Sequence, residues 1–417
     1  MKRNVIIAFI LLFLLKLFLS ILDYYGNSSP ELHSEILKYF TLEDISNGEA
    51  YVRRGFGIAI ARIIIFTVIL MVMSFTSLSV KLEKFCDELT KQRFFLTTIC
   101  FIAVLYSLAA LISFPFNFYF SYILEHRFGF SNMTLGFWFW TWFKNFLLVV
   151  CSVSIIGALA LAVIRKFRVY SAFIVPLGAL IIALAMLIIY PTVILPIFYD
   201  IKPIENPLLE KRIVELGDKT GVSVDKIYVI KESEYSNHTN AFFVGFGDHK
   251  KIYLYDTLIK NNSEGELISI LAHEIGHWAY NHNMKGVVTG FLMSLFGFWI
   301  IFYVVKKMQA ESENTIGEMH SPSMIPLYLL LFIIITNITN PIEMAVSRKM
   351  EKQADYYALE TTGDPDAFIS SEIRIAKDNR SRLNRHPIPA FFRSSHPSAI
   401  ERIKMGIEYK ESVIHGR

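Results

Sequence analysis

Long apolar runs with almost no charged residues constrain this chain more than any other feature of its sequence. A helix needs about 20 such residues to cross the hydrocarbon core of a bilayer. The chain is 53% hydrophobic and only 19% charged, whereas a soluble domain carries about 25% charged residues. Pro115 is expected to kink or end the third helix, since proline removes a helical hydrogen bond. A polytopic membrane protein is therefore predicted, with seven transmembrane helices at residues 5–22, 63–80, 94–124, 145–164, 169–198, 286–305 and 324–342.

Charge and cysteine content give no support to several other classes of protein. The formal net charge of +4 is too small and too evenly spread to favour nucleic acid binding. The three cysteines form no C-x-x-C pair, so neither a disulfide framework nor a cysteine-bound zinc site is predicted. Lys2 and Arg3 precede the first apolar run, as in a secretory signal. Because no small-residue cleavage site follows that run, we expect a retained anchor.

Two polar segments lie outside the predicted membrane helices. Residues 200–285 contain an amphipathic helix pattern at 207–221 and strand patterns at 226–231, 241–246 and 251–257, with turn residues at Gly247 and Asp248. The other segment is the tail. We expect the chain to divide into residues 1–199 with five helices, 200–285, 286–342 with two helices, and 343–417. The two polar parts are separated in sequence and must assemble in space.

The first polar segment contains the pattern H-E-x-x-H at His273, Glu274 and His277, in a stretch with helical spacing that starts near an N-cap at Ser263. Residues four apart lie on one helix face, so both histidines can bind one metal ion, with Glu274 beside a bound water. The pattern is short, and two surface histidines on a soluble helix are the alternative. A catalytic zinc takes three protein ligands plus water, so a third ligand must come from elsewhere.

Glu351 is the candidate for that third ligand. It lies four residues before Asp355 in a helix-like stretch after the seventh run, so both carboxylates share a face. Asp355 would then orient a ligand histidine. Spacing alone favours a plainer interpretation, a charged juxtamembrane helix whose Arg348 and Lys349 contact lipid headgroups.

Four motifs, in order along the chain, resemble the integral-membrane zinc peptidases typified by type I CAAX prenyl proteases. They are SNHTNAFFVGF at 236–246, LAHEIGHW at 271–278, SR…E…AD at 347–355 and SHPSAIER at 395–402. The fragment EHRFGFS at 125–131 also matches, so the resemblance covers nearly the whole chain. It implies a mainly α fold, with seven transmembrane helices around a chamber. It also implies a gluzincin-like α+β zinc peptidase domain, split across the 200–285 loop and the C-terminal tail.

The resemblance also implies roles for individual residues. One Zn²⁺ per chain would be held by His273, His277 and Glu351, and would lower the pKa of a water to about 7. Glu274 would accept a proton from that water and pass it to the leaving amine.

Further residues are expected around the reacting carbonyl. The resemblance places Asn240 and His396 at the developing oxyanion; without it, Asn240 is equally a strand cap and His396 a loop histidine. Residues 241–246 are expected to form an edge strand that pairs with an extended substrate. His238 and His282 are expected to be surface residues. The remaining candidates support the site or contact the substrate: Asp355, Arg402, Arg348, Ala241, Phe242 and Phe243.

The predicted activity is endopeptidase cleavage that removes the last three residues of a prenylated C-terminal Cys-a-a-X peptide, or of comparable peptides. A quality-control metalloprotease without a prenyl requirement is one alternative, and a catalytically inactive membrane scaffold is another. The expected partners are a peptide substrate and the lipid bilayer, with no nucleic acid.

The expected location is a bacterial inner membrane or an endoplasmic reticulum type membrane. The loop charges and the family resemblance predict opposite orientations of the chain in the membrane. Lys and Arg in the short loops favour a cytoplasmic N-terminus and an external catalytic domain. The family implies a cytoplasmic catalytic face, which we favour because the catalytic loop is long and poorly governed by that rule.

Overall fold

Seven long apolar helices form the membrane part of the computed structural model, which describes residues 1–26, 29–222, 224–246, 249–311 and 317–415. Two of these helices, α13 and α14, come late in the chain. The helices up to residue 198 are α1 Lys2–Tyr25, α2 Pro30–Ile36, α3 Leu42–Phe75, α4 Leu78–Leu89, α5 Phe94–Phe118, α6 Glu125–Arg127, α7 Leu135–Phe167, α8 Ser171–Ile189 and α9 Leu195–Phe198.

The polar part contains the remaining helices and one sheet. Its strands are β1 Ile201–Pro203, β2 Lys226–Ile230, β3 Ala241–Phe246 and β4 His249–Tyr255. The helices after residue 198 are α10 Pro207–Thr220, α11 Asp256–Asn261, α12 Glu264–Ala279, α13 His282–Glu311, α14 Ile325–Thr362, α15 Pro365–Asp378, α16 Pro387–Arg393 and α17 Ala399–Ile414.

The predicted membrane spans agree with the helices in number. Among the described residues, six helical stretches are long and apolar enough to cross a membrane, and the stretch Leu135–Phe198 has 64 residues. At 1.5 Å per residue it would measure roughly 96 Å, far more than the ~30 Å hydrocarbon core. A 3₁₀ turn at Arg168–Tyr170 divides it into α7 and α8, and Arg168 there has a positive φ of 46°. The predicted mainly α membrane fold is confirmed.

Two span boundaries are informative. The second span was expected to reach residue 80, but α3 ends at Phe75, where the Thr76 hydroxyl bonds to the Val72 carbonyl at 2.8 Å. That expectation was wrong because a polar break interrupts the apolar run. Pro115 was expected to kink or end its helix, but it lies inside α5, which ends three residues later at Phe118 and continues as a π-helix over Tyr119–Leu124.

The sheet has the order β1-β2-β4-β3. β2 and β4 are parallel with Tyr228 opposite Tyr253, and β3 is antiparallel to β4 with Ala241 opposite Leu254. The three strand patterns are confirmed, whereas β1 has only three residues and was not predicted. β3 lies at an edge, as expected. The predicted turn at residues 247–248 falls outside the described residues.

One face of the sheet packs on α12 and on the end of α14. Alternate residues of a strand point to opposite faces, so Ala241 and Phe243 join Leu271, Ile275 and Ala358 in one buried cluster. The two polar parts of the chain therefore share a hydrophobic core, and α12 is held directly against the edge strand.

Candidate active site

Helix α12 carries the H-E-x-x-H motif, and its start is firmly fixed. Ser263 is the N-cap, and it forms a capping box with Glu266. The buried Glu266 carboxylate also accepts a bond from Arg374 on α15 at 3.1 Å. The predicted N-cap is confirmed, and it sets the rotation of the helix that presents both histidines.

A glycine in the motif lets α12 approach α14 closely. A Cβ atom on Gly276 would lie 3.0 Å from the Cα and 3.2 Å from the carbonyl oxygen of Ala354. Backbone atoms cannot move aside as a flexible side chain can. The small residue therefore brings the histidine face of α12 against the carboxylates of α14.

Three potential ligands converge where these helices meet. The Nε2 atoms of His273 and His277 are 3.1 Å apart. Glu351 Oε2 lies 3.3 Å from His273 Nε2, and Glu351 Oε1 lies 3.5 Å from His277 Nε2. Ligand atoms of the three residues all lie within 4.8 Å of one another.

This donor set fits a divalent metal. Two imidazole nitrogens and one carboxylate oxygen are ligands that zinc prefers in catalytic sites. Glu351 Oε2 is buried and accepts no well-oriented hydrogen bond from the described residues, although two imidazole nitrogens lie 3.3 Å away. Leaving such an atom without a partner is costly, and a cation at this position would remove that cost.

The outer nitrogen of His273 is held by a buried ion-pair network. His273 Nδ1 lies 2.7 Å from Asp355 Oδ1, and the Asp355 side chain is fully buried. Arg402 on α17 donates from Nε to Asp355 Oδ2 at 2.9 Å and also pairs with Glu372 at 2.6 Å. Asp355 and Arg402 thus fix the direction in which His273 Nε2 points.

His277 has a different support, which the sequence interpretation missed. Its Nδ1 lies 3.0 Å from His282 Nδ1, and His282 Nε2 lies 3.0 Å from Gln353 Oε1. His282 is only 4% exposed, so the expectation of a surface residue was wrong. Its position five residues after His277 was the available signal, because the turn that ends α12 folds it back onto the motif.

His238 was also expected at the surface, and its side chain is 38% exposed, but the imidazole has specific partners that the sequence did not indicate. Its Nε2 lies 3.0 Å from Glu125, which accepts a hydrogen bond from the Tyr51 hydroxyl at 2.5 Å. The imidazole stacks on Phe130 with centroids 4.4 Å apart. The bond to Glu125 raises the pKa of His238. This network joins the membrane helices to the loop that precedes β3.

His396 lies close to Glu351 in space, and Arg348 precedes Glu351 on α14. His396 Nε2 is 3.3 Å from Glu351 Oε2, so the structure brings this predicted residue to the cluster. Arg348 donates to the carbonyl oxygens of Phe391 at 3.2 Å and Ser394 at 2.6 Å. Through those contacts Arg348 holds the loop that leads to His396; the contacts are not with a metal ligand.

Asn240 and the β3 residues are placed less directly. The Asn240 side chain accepts a bond from the Ala241 amide at 2.9 Å, and no contact with the triad is recorded among the described residues. Ala241 and Phe243 are buried toward α12, whereas Phe242 stacks on Tyr253 on the opposite face at 5.2 Å. The part of β3 that could bind a substrate is therefore its backbone edge.

Electrostatics of the motif favour proton exchange. Burial raises the pKa of Glu274 to about 7, against the opposing charge of His273. Burial and the charge of His273 lower the pKa of His277 to about 4. Burial lowers the pKa of His273, but the hydrogen bonds to Asp355 and Glu351 outweigh this effect and raise the pKa to about 10. A cation at the triad therefore competes with a proton on His273.

Two family profiles match the chain. The profile "Peptidase family M48" matches residues 203–406, and "CAAX prenyl protease N-terminal, five membrane helices" matches residues 22–200. CAAX prenyl protease 1 of Saccharomyces cerevisiae is 30% identical over 322 residues, covering 73% of this chain and 71% of the relative. The uncharacterized metalloprotease YhfN of Bacillus subtilis is 29% identical over 343 residues, covering 80% of this chain and 78% of the relative.

The same similarity holds in three dimensions. The crystal structure of S. mikatae Ste24p matches with a TM-score of 0.85 and 25% sequence identity, over 97% of this chain and 98% of that one. The match therefore includes both the membrane helices and the polar part.

Proposed function

Because this chain belongs to peptidase family M48 and resembles the CAAX prenyl proteases within it, we propose that it removes the C-terminal tripeptide of prenylated or comparable peptides. Membership in this family identifies the chain as a membrane metalloprotease and argues against an inactive scaffold. The observation that carries the proposal is the convergence of His273, His277 and Glu351 beside Glu274, with their ligand atoms within 4.8 Å.

The family implies a metal, generally zinc, and we propose one zinc ion per chain. His273, His277 and Glu351 would hold it. When bound, zinc lowers the pKa of a water to about 7 and polarises the substrate carbonyl. Asp355 and Arg402 keep His273 aligned, and His282 does the same for His277.

Glu274 is the proposed general base. It lies between the two histidines in the motif, and burial raises its pKa to about 7, close to the value that suits proton transfer at neutral pH. Its carboxylate would take a proton from the attacking water and release it to the nitrogen of the leaving tripeptide.

Two further residues are proposed to stabilise the developing oxyanion. His396 Nε2 lies 3.3 Å from Glu351 Oε2, so a proton on that nitrogen would point toward the cluster. Asn240 begins the edge strand, whose free backbone groups would pair with an extended substrate. Such pairing supplies binding with little demand on side-chain sequence.

A quality-control peptidase without a prenyl requirement is the second candidate. The edge strand β3 favours it, because backbone pairing accepts many sequences. The B. subtilis relative YhfN is known only as an uncharacterized metalloprotease.

The deciding experiment compares a farnesylated Cys-a-a-X peptide with its unmodified form on purified, zinc-loaded protein. We expect kcat/KM for the farnesylated peptide to be at least about tenfold higher, as burial of an isoprenoid chain predicts. Equal turnover would favour the quality-control function. Cleavage of neither peptide would reject both.

We also propose that the catalytic face is cytoplasmic, as the family resemblance implies, although the charges of the short loops favour the opposite orientation. The N-terminal amine pairs with Glu311 at 2.5 Å, at the end of α13 opposite to His282. A helix of 30 residues measures roughly 45 Å, so the N-terminus and the triad lie at opposite ends of the membrane helices. Reporter fusions at Lys91 and after Arg417 test this orientation, and an external signal at the tail would overturn it.

A further inference from the structure

Three arginines surround one carboxylate at the end of α1. Asp23 Oδ1 lies 3.3 Å from Arg382 and 3.1 Å from Arg385, and Asp23 Oδ2 lies 3.4 Å from Arg393. The arginines come from the tail, and α16 carries Arg393 in its last turn. One negative charge therefore faces three positive charges.

Among the described residues no second carboxylate forms an ion pair with these arginines, although Arg382 also donates to the Gly26 carbonyl at 3.0 Å and Arg393 to the Ser20 hydroxyl at 2.8 Å. The nearby Glu49 is occupied by Asn384 at 2.5 Å and by Arg53 at 3.2 Å. The Arg382 side chain is only 2% exposed, and its Nε atom has no hydrogen-bond partner in the part of the chain that the structure describes. Keeping unpaired cations away from water is costly unless an anion compensates for them.

The cluster is open to a ligand on one side. Arg385 and Arg393 keep 31% and 33% of their side-chain surface exposed. Arg393 also donates from Nη2 to the Lys16 carbonyl at 3.3 Å and to the Ser20 hydroxyl at 2.8 Å, so the donors left for a ligand are chiefly those of the Arg385 guanidinium, whose planar shape matches a carboxylate. An anion can therefore bind on this side without displacing the buried Arg382.

The cluster is connected to the catalytic loop. Arg385 donates to the Ser394 hydroxyl at 3.2 Å. Ser395 bonds to His396 Nδ1 at 2.8 Å, and His396 Nε2 lies 3.3 Å from Glu351 Oε2. Arg348 holds the Ser394 carbonyl from the opposite side at 2.6 Å. The excess positive charge is thus connected to the metal ligands through the loop at residues 394–396.

We propose that Arg382, Arg385 and Arg393 receive the free C-terminal carboxylate of the substrate. The inference rests on the proposed tripeptide cleavage. Three extended residues span at most about 10 Å, so a bond cut at the triad places the chain end about that far away. The cluster would then select chain ends and fix where cleavage occurs.

The test uses one peptide in two forms, a farnesylated Cys-a-a-X peptide with a free C-terminal carboxylate and the same peptide as a C-terminal amide. The wild-type protein is expected to favour the acid about tenfold or more in kcat/KM, mainly through KM, as loss of charge-assisted hydrogen bonds predicts. In the double variant Arg385→Gln/Arg393→Gln the acid and amide should differ by less than about twofold.

The matched control is Arg212→Gln on α10, whose side chain is 56% exposed and pairs with Glu264 at 3.1 Å; it should keep the wild-type preference. Equal cleavage of acid and amide by the wild type would overturn the inference while leaving the peptidase function intact. Equal loss on both peptides in the double variant would indicate a structural role and overturn it too. Cleavage of neither peptide would reject the proposed function itself. An unchanged preference, with reduced thermal stabilisation by added phosphatidylglycerol, would reassign the cluster to lipid.

Discussion

The membrane helices expose many large apolar side chains, whereas the peptidase part buries such side chains in a core. In α5 the side chain of Leu111 is 69% exposed on the helix surface, whereas Leu271 in α12 is fully buried. The peptidase part in turn buries ionisable groups such as Asp355, which is 0% exposed. Lipid tails are as apolar as leucine, so apolar burial drives packing mainly in the peptidase part. There the buried charges are kept because they orient metal ligands.

The largest effect is expected in the chemistry of the peptidase part. Glu274→Gln keeps the size of the side chain and removes its ability to accept a proton. Peptidase activity should fall by about 10²–10⁴-fold, while the zinc content of the purified protein stays that of the wild type. Full activity in this variant would exclude Glu274 as the base.

The next largest effect is expected when the buried ion pair between Asp355 and Arg402 is broken. Asp355→Ala leaves Arg402 and His273 without their shared partner, so the free energy of unfolding should fall by about 3–5 kcal/mol. Zinc affinity should fall by about 10–100-fold. His282→Ala, which removes an uncharged support of the other ligand, serves as the comparison and should lose less stability. Thermal unfolding and competition with a zinc chelator measure both quantities.

One substitution made in both regions tests the contrast between them. Leu271→Ala should lower stability by about 2–5 kcal/mol, because it opens a cavity in a packed core. Leu111→Ala should change it by less than about 0.5 kcal/mol, since the side chain faces outward. Chemical denaturation of the detergent-solubilised protein compares the two. Similar losses would show that the membrane helices pack as tightly as the peptidase core.

A smaller effect is expected where α12 meets α14. Gly276→Ala would press a methyl group against the backbone of Ala354 at 3.0 Å. Such overpacking costs about 1–3 kcal/mol, and it should weaken zinc binding by separating the histidines from Glu351. Gly286→Ala in α13 is the matched control, because its Cβ would meet nothing within 4 Å. Zinc affinity unchanged in both variants would mean that this close approach does not set the ligand geometry.

Local patterns in the sequence predicted much of this architecture. Apolar runs predicted the long helices, Ser263 and Glu266 predicted the start of α12, and alternation predicted β3. These features depend on neighbours within one helical turn or one strand. The short strand β1 gave no such pattern, because three residues are too few to show alternation.

Contacts between distant residues escaped prediction. Arg382 and Asp23 are 359 residues apart, and His238 and Glu125 are 113 apart. No periodicity connects such pairs. The triad itself illustrates this limit, because spacing alone favoured an ordinary charged helix around Glu351 and only the family resemblance indicated a ligand.

The zinc content of three single variants tests the central claim most directly. The purified wild-type protein should contain about one zinc ion per chain. His273→Ala, His277→Ala and Glu351→Ala should each lose it, while Glu274→Gln keeps it. A Glu351→Ala variant that still holds one tightly bound zinc ion would contradict the account, since the metal would then be bound without α14.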